Sequence, residues 1–185
     1  MTQDIDTTVK PIKNSLAYFN LIDTFFFDVD GVMTDGKLIS TIEGEFLRTF
    51  HSRDGFAIRH AIEQGYNIVV ITGGKGKTIE NRLVALGIKT YFINAQIKLP
   101  IFERYCKEHD IDTSRALYMG DDLNDYEVMQ HIGLACCPAD AATEIKKTSQ
   151  YISPFNGGDG CVRDVIEKVM KLHGKWMNNI SVISG

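Results

Sequence analysis

The sequence predicts an α/β fold with a doubly wound, mostly parallel sheet. Two observations lead to this prediction. Short apolar, β-prone segments alternate with helical segments along the chain. These β-prone segments are apolar throughout, which is typical of strands that are buried on both faces. The chain has 185 residues, 44% of them hydrophobic, which is enough for one domain with a sizeable core. We therefore expect a single domain over residues 1–185.

The predicted core spans residues 21–173, between an N-terminal arm (1–20) and a C-terminal tail (174–185). The tail is apolar, so we expect it to dock on a protein surface. The β-prone stretches on either side of Glu43-Gly44 predict a hairpin over 37–52, inserted after the first strand. The predicted strands are LIDTFFFD, YNIVVIT, KTYFIN, RALYMG, GLACC and residues 150–153. The predicted helices lie at 14–19, 54–65, 76–87, 97–110, 123–132, 141–148 and 159–174.

Composition narrows the class of protein. The net charge is −4 and no basic run is present, which argues against nucleic-acid binding. No apolar run approaches the roughly 20 residues of a membrane helix, and residues 1–20 lack the features of a secretory signal. The four cysteines form neither a CxxC pair nor a disulfide framework, which favours a reducing compartment. We expect a cytoplasmic protein.

Acidic and phosphate-binding side chains follow the predicted strands. Asp28 and Asp30 come after the first strand, Thr72 after the second and Asp121 after RALYMG, while Lys98 opens a helix. Because ligands of such sheets bind at the carboxyl ends of the strands, we expect these groups to meet at one edge.

Their chemistry indicates phosphoryl transfer. Clustered carboxylates need a cation, and a set of oxygen ligands suits Mg²⁺. A threonine and a lysine beside the metal would hold a phosphoryl group. One carboxylate can act as nucleophile, giving an aspartyl-phosphate. A second can protonate the leaving oxygen and later activate water.

DVDG has two other interpretations, a turn without a catalytic role and an EF-hand loop. Asp and Gly form turns without any catalytic role, so a single DxDG is weak evidence. An EF-hand is a poor match, because DVDGVMTDGKLIS lacks the closing glutamate of that loop. The occurrence of DxDG, Thr72, Lys98 and GDDLND in one order favours a catalytic site.

This ordered set resembles the haloacid dehalogenase superfamily of phosphohydrolases. DVDGVMTDG is similar to its first motif, ITG at 71–73 to its second, Lys98 to its third and GDDLND to its fourth. FHSRDGFAIR at 50–59 and GGDGCVRDV at 157–165 further resemble its capless branch, in particular the phosphatases of 3-deoxy-D-manno-octulosonate 8-phosphate. The spacing leaves no room for a large cap domain. The resemblance implies a homotetramer in which a neighbour's hairpin or C-terminal tail closes each site.

The resemblance also implies a role for each matching residue. Asp28 is expected to be the nucleophile and a Mg²⁺ ligand. Asp30 is expected to be the acid/base and a ligand, and Asp121 the third ligand. Thr72 and Lys98 are expected to hold the phosphoryl group. The acids expected to support the metal shell are Asp122 and Asp125. The residues expected to bind substrate, a phosphorylated keto sugar acid, are Asp30, His51, Ser52, Arg53, Asp54, Gly55, Arg59, Thr72, Gly73, Arg82 and Lys98.

One departure affects the substrate. Gly74 stands where the family's second motif usually has an arginine, for which Lys75 or Lys77 could compensate. An eight-carbon keto acid phosphate of lipopolysaccharide biosynthesis is the first hypothesis, and a nine-carbon one of the KDN or sialic acid type is the second. A non-catalytic oligomerisation module is the third, and the intact set of acids argues against it.

Overall fold

The computed structural model describes residues 15–178, so most of the predicted arm and the end of the predicted tail lie outside the described residues. The strands are β1 (Thr24–Phe27), β2 (Ile39–Ser40), β3 (Phe46–Leu47), β4 (Asn67–Ile71), β5 (Thr90–Phe92), β6 (Ala116–Met119), β7 (Leu134–Cys137) and β8 (Tyr151–Ile152). The helices are α1 (Ser15–Phe19), α2 (Ser52–Glu63), α3 (Lys77–Ala85), α4 (Leu99–Glu108), α5 (Tyr126–Met129), α6 (Thr143–Thr148) and α7 (Cys161–Leu172). Two short 3₁₀ turns cover Thr113–Arg115 and Leu123–Asp125.

Six strands form one parallel sheet in the order β5-β4-β1-β6-β7-β8, which confirms the predicted fold class. The chain builds outwards from the central β1, first to one side and then to the other. Phe27 lies opposite Val70 of β4 and Met119 of β6. The chain therefore leaves β1, β4 and β6 at the same edge, at the point where the strand order reverses.

The three consecutive phenylalanines of β1 pack on both faces of the sheet. Phe25 and Phe27 belong to the core that α2 and α7 cover, and their rings stack 6.0 Å apart. Phe26 points to the other face, where its ring lies 5.1 Å from that of Phe102 in α4. All three are fully buried. This explains why the segment is apolar throughout instead of alternating.

The bounds of several elements differ from those predicted. The first strand begins at Thr24, and the hairpin pairs only two residues from each strand. The helix predicted to start at Asp54 begins at Ser52. The helix predicted over 123–132 is a 3₁₀ turn followed by a single α-helical turn. A reciprocal cap between Asp122 and Asp125 forms this tight start.

The start of the predicted tail packs on its own chain. Trp176 is buried, and its ring makes an edge contact with those of Phe56 and His60 of α2. The Trp176 carbonyl lies 2.9 Å from His60 Nε2. Trp176 therefore docks on its own chain, one of the two surfaces that the sequence left open for it. Residues 179–185 lie outside the described part of the chain.

The composition indicates neither a disulfide framework nor a membrane-spanning helix. All four cysteines are free and buried, which agrees with the absence of a disulfide framework. Among residues 15–178, no helix combines the length and the apolar character needed to cross a membrane.

The segment Gly157-Gly158 supports the loop that follows β1. The Gly158 N–H donates a 3.0 Å hydrogen bond to the Val32 carbonyl. Gly158 has a φ of +66°, and a Cβ at this position would lie 2.5 Å from the backbone nitrogen of Asp35. Both the backbone conformation and the close packing therefore require glycine. This contact fixes the loop that carries Asp28 and Asp30.

Replacing Gly158 by alanine should therefore destabilise the protein through packing as well as through backbone strain. Gly44 is the matched control, because its φ of +80° is similar but a Cβ there would meet no atom within 4 Å. We expect Gly158→Ala to lower the free energy of unfolding by about 1–3 kcal/mol more than Gly44→Ala, measured by urea denaturation. Equal losses would mean that the contact with the loop contributes nothing.

Candidate active site

Asp28 lies directly after β1 and is almost completely buried. Its Oδ1 accepts a 2.6 Å hydrogen bond from the Val29 N–H, and its Oδ2 lies 2.9 Å from Lys98 Nζ. Burial raises the pKa of Asp28 to about 6, and the neighbouring Asp125 adds to this effect although Lys98 opposes it. These contacts hold the carboxylate in one orientation at the carboxyl edge of the sheet.

Lys98 joins two carboxylates beneath the surface of the site. Its Nζ donates a 2.7 Å hydrogen bond to Asp125 Oδ1, besides its ion pair with Asp28. Burial lowers the pKa of Lys98, but the two carboxylates more than reverse this and raise it above its usual value. Tyr118 of β6 also donates to Asp125 Oδ1, at 2.6 Å. Lys98 therefore remains charged inside the protein.

Asp121 completes the cluster. Among residues 15–178, it forms no ion pair of the kind that Lys98 makes with Asp28 and Asp125. Gly31 has a φ of +86°, and any side chain at this position would collide with the Asp121 carboxylate. Asp121 Oδ1 is buried without a hydrogen-bond partner. Burial raises the pKa of Asp121 to about 8, and the charges of Asp28, Asp125 and Asp122 add to the effect. An unpartnered carboxylate among other carboxylates is stabilised by a bound cation.

The donor set fits a divalent cation. Carboxylate oxygens of Asp28, Asp121 and Asp125 lie within 4.8 Å of one another. Both Asp125 oxygens are already occupied: Oδ1 by Lys98 and Tyr118, and Oδ2 by the N–H groups of Asp121 and Asp122. Each Asp125 oxygen thus accepts two hydrogen bonds, whereas each Asp28 oxygen has one partner and Asp121 Oδ1 has none among the described residues. Asp28 and Asp121 therefore keep lone pairs for a cation, and Asp125 supports them. An oxygen-only set with few protein ligands suits Mg²⁺.

Asp28 and Asp121 line an open cavity of about 510 Å³, and Asp125 does not. Of the predicted residues, those lining it are Asp28, Asp30, Thr72, Gly73, Asp121 and Asp122. The Thr72 hydroxyl oxygen accepts a 3.0 Å hydrogen bond from the Gly74 N–H, so its proton is available for a ligand. Lys98 lies behind Asp28 and does not line the cavity. The cavity thus presents acids and a hydroxyl to the same volume.

Besides Lys98, seven of the predicted substrate-binding residues do not line this cavity within the described chain. His51 and Arg53 line a second cavity of about 490 Å³, beside α7, and Ser52 lies near Trp176. Asp54 is buried and accepts a hydrogen bond from the Arg163 N–H. The remaining residues, none of which lines the first cavity, are Gly55, Arg59 and Arg82. Their predicted contact with substrate stays a prediction.

Arg48 and Tyr118 are among the polar residues of the site that the sequence did not predict. Arg48 lines the cavity and forms a two-point ion pair with Asp30. No motif marks it, because the pair depends on where the hairpin folds back. Tyr118 could have been found, since a tyrosine in a buried strand needs a partner for its hydroxyl. The other lining residues outside the prediction are Gly36, Leu38, Phe46, Gly74, Lys75, Asn94, Gln96 and Asn124.

Comparison with known proteins agrees with this geometry. Residues 98–165 match the model of a family described as haloacid dehalogenase-like hydrolases. The 3-deoxy-D-manno-octulosonate 8-phosphate phosphatase KdsC of Escherichia coli K12 is 35% identical over 154 residues, which cover 83% of this chain and 82% of that protein.

Solved structures of similar proteins share the fold. The 3-deoxy-D-manno-octulosonate 8-phosphate phosphatase of Yersinia pestis aligns with a TM-score of 0.86 and 31% identity, over 90% of each chain. That of Moraxella catarrhalis, solved with magnesium, phosphate and KDO, aligns with a TM-score of 0.85 and 28% identity, over 89% of this chain and 95% of that one. The chain therefore belongs to the haloacid dehalogenase superfamily, in the family of the KdsC phosphatases, and is a phosphoric monoester hydrolase.

Proposed function

We propose that the chain is a Mg²⁺-dependent phosphatase that hydrolyses 3-deoxy-D-manno-octulosonate 8-phosphate to KDO and phosphate, in lipopolysaccharide biosynthesis. One observation carries the proposal. The buried Asp28 forms an ion pair with Lys98 and lies beside Asp121, whose Oδ1 has no hydrogen-bond partner among residues 15–178, and both aspartates line one open cavity. The similarity to KdsC proteins supports the choice of substrate.

The proposed reaction has two steps. An Asp28 oxygen attacks phosphorus, and a proton from Asp30 goes to the sugar oxygen as the bond between that oxygen and phosphorus breaks. Water then attacks the aspartyl-phosphate, Asp30 accepts its proton, and inorganic phosphate leaves. A bound Mg²⁺, held by Asp28, Asp121 and the backbone carbonyl of Asp30, would supply positive charge to the phosphoryl oxygens.

Thr72 and Lys98 have complementary parts in this reaction. The Thr72 hydroxyl donates to a phosphoryl oxygen, since its own oxygen already accepts from Gly74. The ammonium group of Lys98 reduces the repulsion between Asp28 and the phosphoryl group. Asp122 and Asp125 keep the turn that carries Asp121 in place through their reciprocal cap.

The remaining parts of the proposal concern the assembly. We propose a cytoplasmic homotetramer in which neighbouring chains close each open cavity. The hairpin supports this assignment, because its apolar side chains Leu38, Ile39, Ile42 and Phe46 are exposed. His51, Ser52, Arg53, Asp54, Gly55, Arg59 and Arg82 would then act across an interface.

A nine-carbon keto acid phosphate is the second candidate substrate, and Gly74 is the observation that favours it. The discriminating experiment is phosphate release, with Mg²⁺ and with EDTA, from the eight-carbon and nine-carbon keto acid phosphates, hexose phosphates and an aryl phosphate. We expect kcat/KM to be at least about tenfold higher for the eight-carbon acid, a difference of about 1.4 kcal/mol in transition-state binding. Preference for the nine-carbon acid phosphate would identify that compound, and not the eight-carbon one, as the substrate. Absence of Mg²⁺-dependent release from every compound would favour the oligomerisation module.

Replacing the nucleophile should stop turnover. We expect Asp28→Asn to lower kcat by at least about a thousandfold, because an amide cannot form the aspartyl-phosphate. The matched control is Asp110→Asn, at an exposed position with a φ of +51° that asparagine also adopts. Phosphate release is measured for both variants after circular dichroism has shown that they are folded. Activity of Asp28→Asn near that of the control would contradict the mechanism.

The stability of the metal-free protein should depend on pH. The pKa of Asp121 is raised from 3.8 to about 8 and that of Asp28 from 3.8 to about 6. Between about pH 4 and 8 the folded state therefore binds more protons than the unfolded chain, so its stability falls as pH rises. In EDTA, we expect the free energy of unfolding to decrease from about pH 5 to 8, and Mg²⁺ to oppose the decrease.

Asp121→Asn tests the origin of this dependence. In EDTA, the free energy of unfolding of the variant should decrease less steeply with rising pH than that of the wild type. Mg²⁺ should also stabilise the variant less than it stabilises the wild type. Asp110→Asn should behave like the wild type in both respects. A wild-type protein whose stability is unaffected by Mg²⁺ at pH 8 would contradict a metal site at Asp121.

A further inference from the structure

Arg48 makes a two-point contact with the proposed acid/base. Its Nε lies 2.6 Å from Asp30 Oδ1, and its Nη2 lies 2.9 Å from Asp30 Oδ2. Only 3% of the Arg48 side chain is exposed, compared with 28% of that of Asp30. A buried, bidentate pair of this kind fixes the plane of the carboxylate as well as its position. Because it also favours the ionised carboxylate, Asp30 can carry the proton that it donates only when one of the two contacts gives way while the other still holds the group in place.

The third nitrogen of Arg48 is also occupied. Nη1 donates a 3.2 Å hydrogen bond to the Phe46 carbonyl in β3, and that carbonyl also accepts from the Thr78 hydroxyl of α3, at 3.2 Å. The guanidinium group is thus attached to the hairpin, which is in turn attached to α3. Three of the five N–H groups of Arg48 are thus directed at protein oxygens, which holds the guanidinium group in place beside Asp30.

Gly74 provides the space for this pair. A Cβ at this position would lie 2.9 Å from Asp30 Oδ2, 3.2 Å from Arg48 Nη2 and 2.8 Å from Ile79 Cδ1. Its φ lies outside the left-handed region that favours glycine, so the backbone itself would accept another residue. Glycine is therefore required here by the neighbouring side chains.

We propose that Arg48 is a positioning residue for Asp30, and that Gly74 lacks a side chain because the Arg48–Asp30 pair occupies its place. The inference rests on the proposed function, in which Asp30 protonates the leaving oxygen. The positive charge that the second motif lacks at position 74 thus comes from the hairpin. It acts on the substrate only through the orientation of Asp30.

The chemistry of the leaving group separates this role from others. A sugar oxygen leaves as a poor alkoxide unless Asp30 donates a proton to it while the bond to phosphorus breaks. The oxygen of p-nitrophenyl phosphate leaves as a stable phenolate and needs no proton. Misplacing Asp30 should therefore slow the sugar phosphate far more than the aryl phosphate.

The experiment compares Arg48→Ala with the wild type on the best keto acid phosphate of the panel and on p-nitrophenyl phosphate. We expect kcat for the sugar phosphate to fall by about 100-fold and kcat for the aryl phosphate by less than about tenfold. Arg48→Lys should recover little, because an ammonium group cannot make the two-point contact. The matched control is Arg115→Ala, which removes an exposed arginine–aspartate pair with Asp23, at 2.7 Å, outside the site. It should leave both rates unchanged.

A double-variant comparison tests the part played by Gly74. Gly74→Ala should reproduce the difference between the two substrates, because its Cβ displaces the same pair. Combining it with Arg48→Ala should add less than a threefold further loss, since both substitutions act through one contact. Full multiplication of the two losses would show that Gly74 acts independently of Arg48.

The alternatives give other results. Equal losses on both substrates would indicate a merely structural role and overturn the inference. A raised KM for the keto acid phosphate with unchanged kcat would overturn it in favour of substrate binding by Arg48. A wild-type protein that releases phosphate from neither compound would contradict the proposed function itself and remove the basis of the inference. A wild type that is active on both, with variants like the Arg115→Ala control, would contradict only the role of Arg48.

Discussion

The rest of the site depends on a cluster of three carboxylates, two of which form ion pairs with the buried Lys98. Asp28, Asp121 and Asp125 are brought together because β1 and β6 are adjacent and parallel, so the loops after them share an edge. Without Lys98, three like charges in a largely dry site would oppose folding. Even with it, the pKa of Asp121 remains raised to about 8. The fold thus holds a charge imbalance that a divalent cation corrects.

The three aspartates of this cluster differ in how many hydrogen-bond partners their oxygens have, and this number determines the part that each can play. Asp125 is saturated by Lys98, Tyr118 and two backbone N–H groups, so it acts as a support. Asp121 keeps an oxygen without a partner and faces the cavity. Asp28 lies between these extremes, oriented by Val29 and Lys98. Asp125, whose oxygens are fully hydrogen-bonded, thus supports the site, whereas Asp28 and Asp121 keep oxygen lone pairs that can bind a ligand.

The hairpin connects the periphery of the molecule to the reacting groups. Its two short strands are exposed and apolar, yet the residue that follows them, Arg48, is buried against Asp30. The orientation of the Asp30 carboxylate is therefore fixed by an element outside the main sheet. In a chain without a cap domain, the hairpin contributes to the wall of the cavity through Leu38, Phe46 and Arg48. The absence of a side chain at Gly74 makes this arrangement possible.

The sequence alone determined the fold class and the residues at the strand ends, because both follow from local patterns. The three phenylalanines of β1 indicated a strand buried on both faces, and Asp28, Thr72 and Asp121 followed apolar strands whose parallel order brings their ends together. Only the tertiary structure decided which acid Lys98 and Tyr118 neutralise, that Trp176 packs on its own chain, and that Arg48 reaches Asp30 across 18 residues. These contacts depend on the placement of a hairpin, a turn and a chain end relative to the sheet. Periodicity and motifs describe each segment separately and carry no information about that placement.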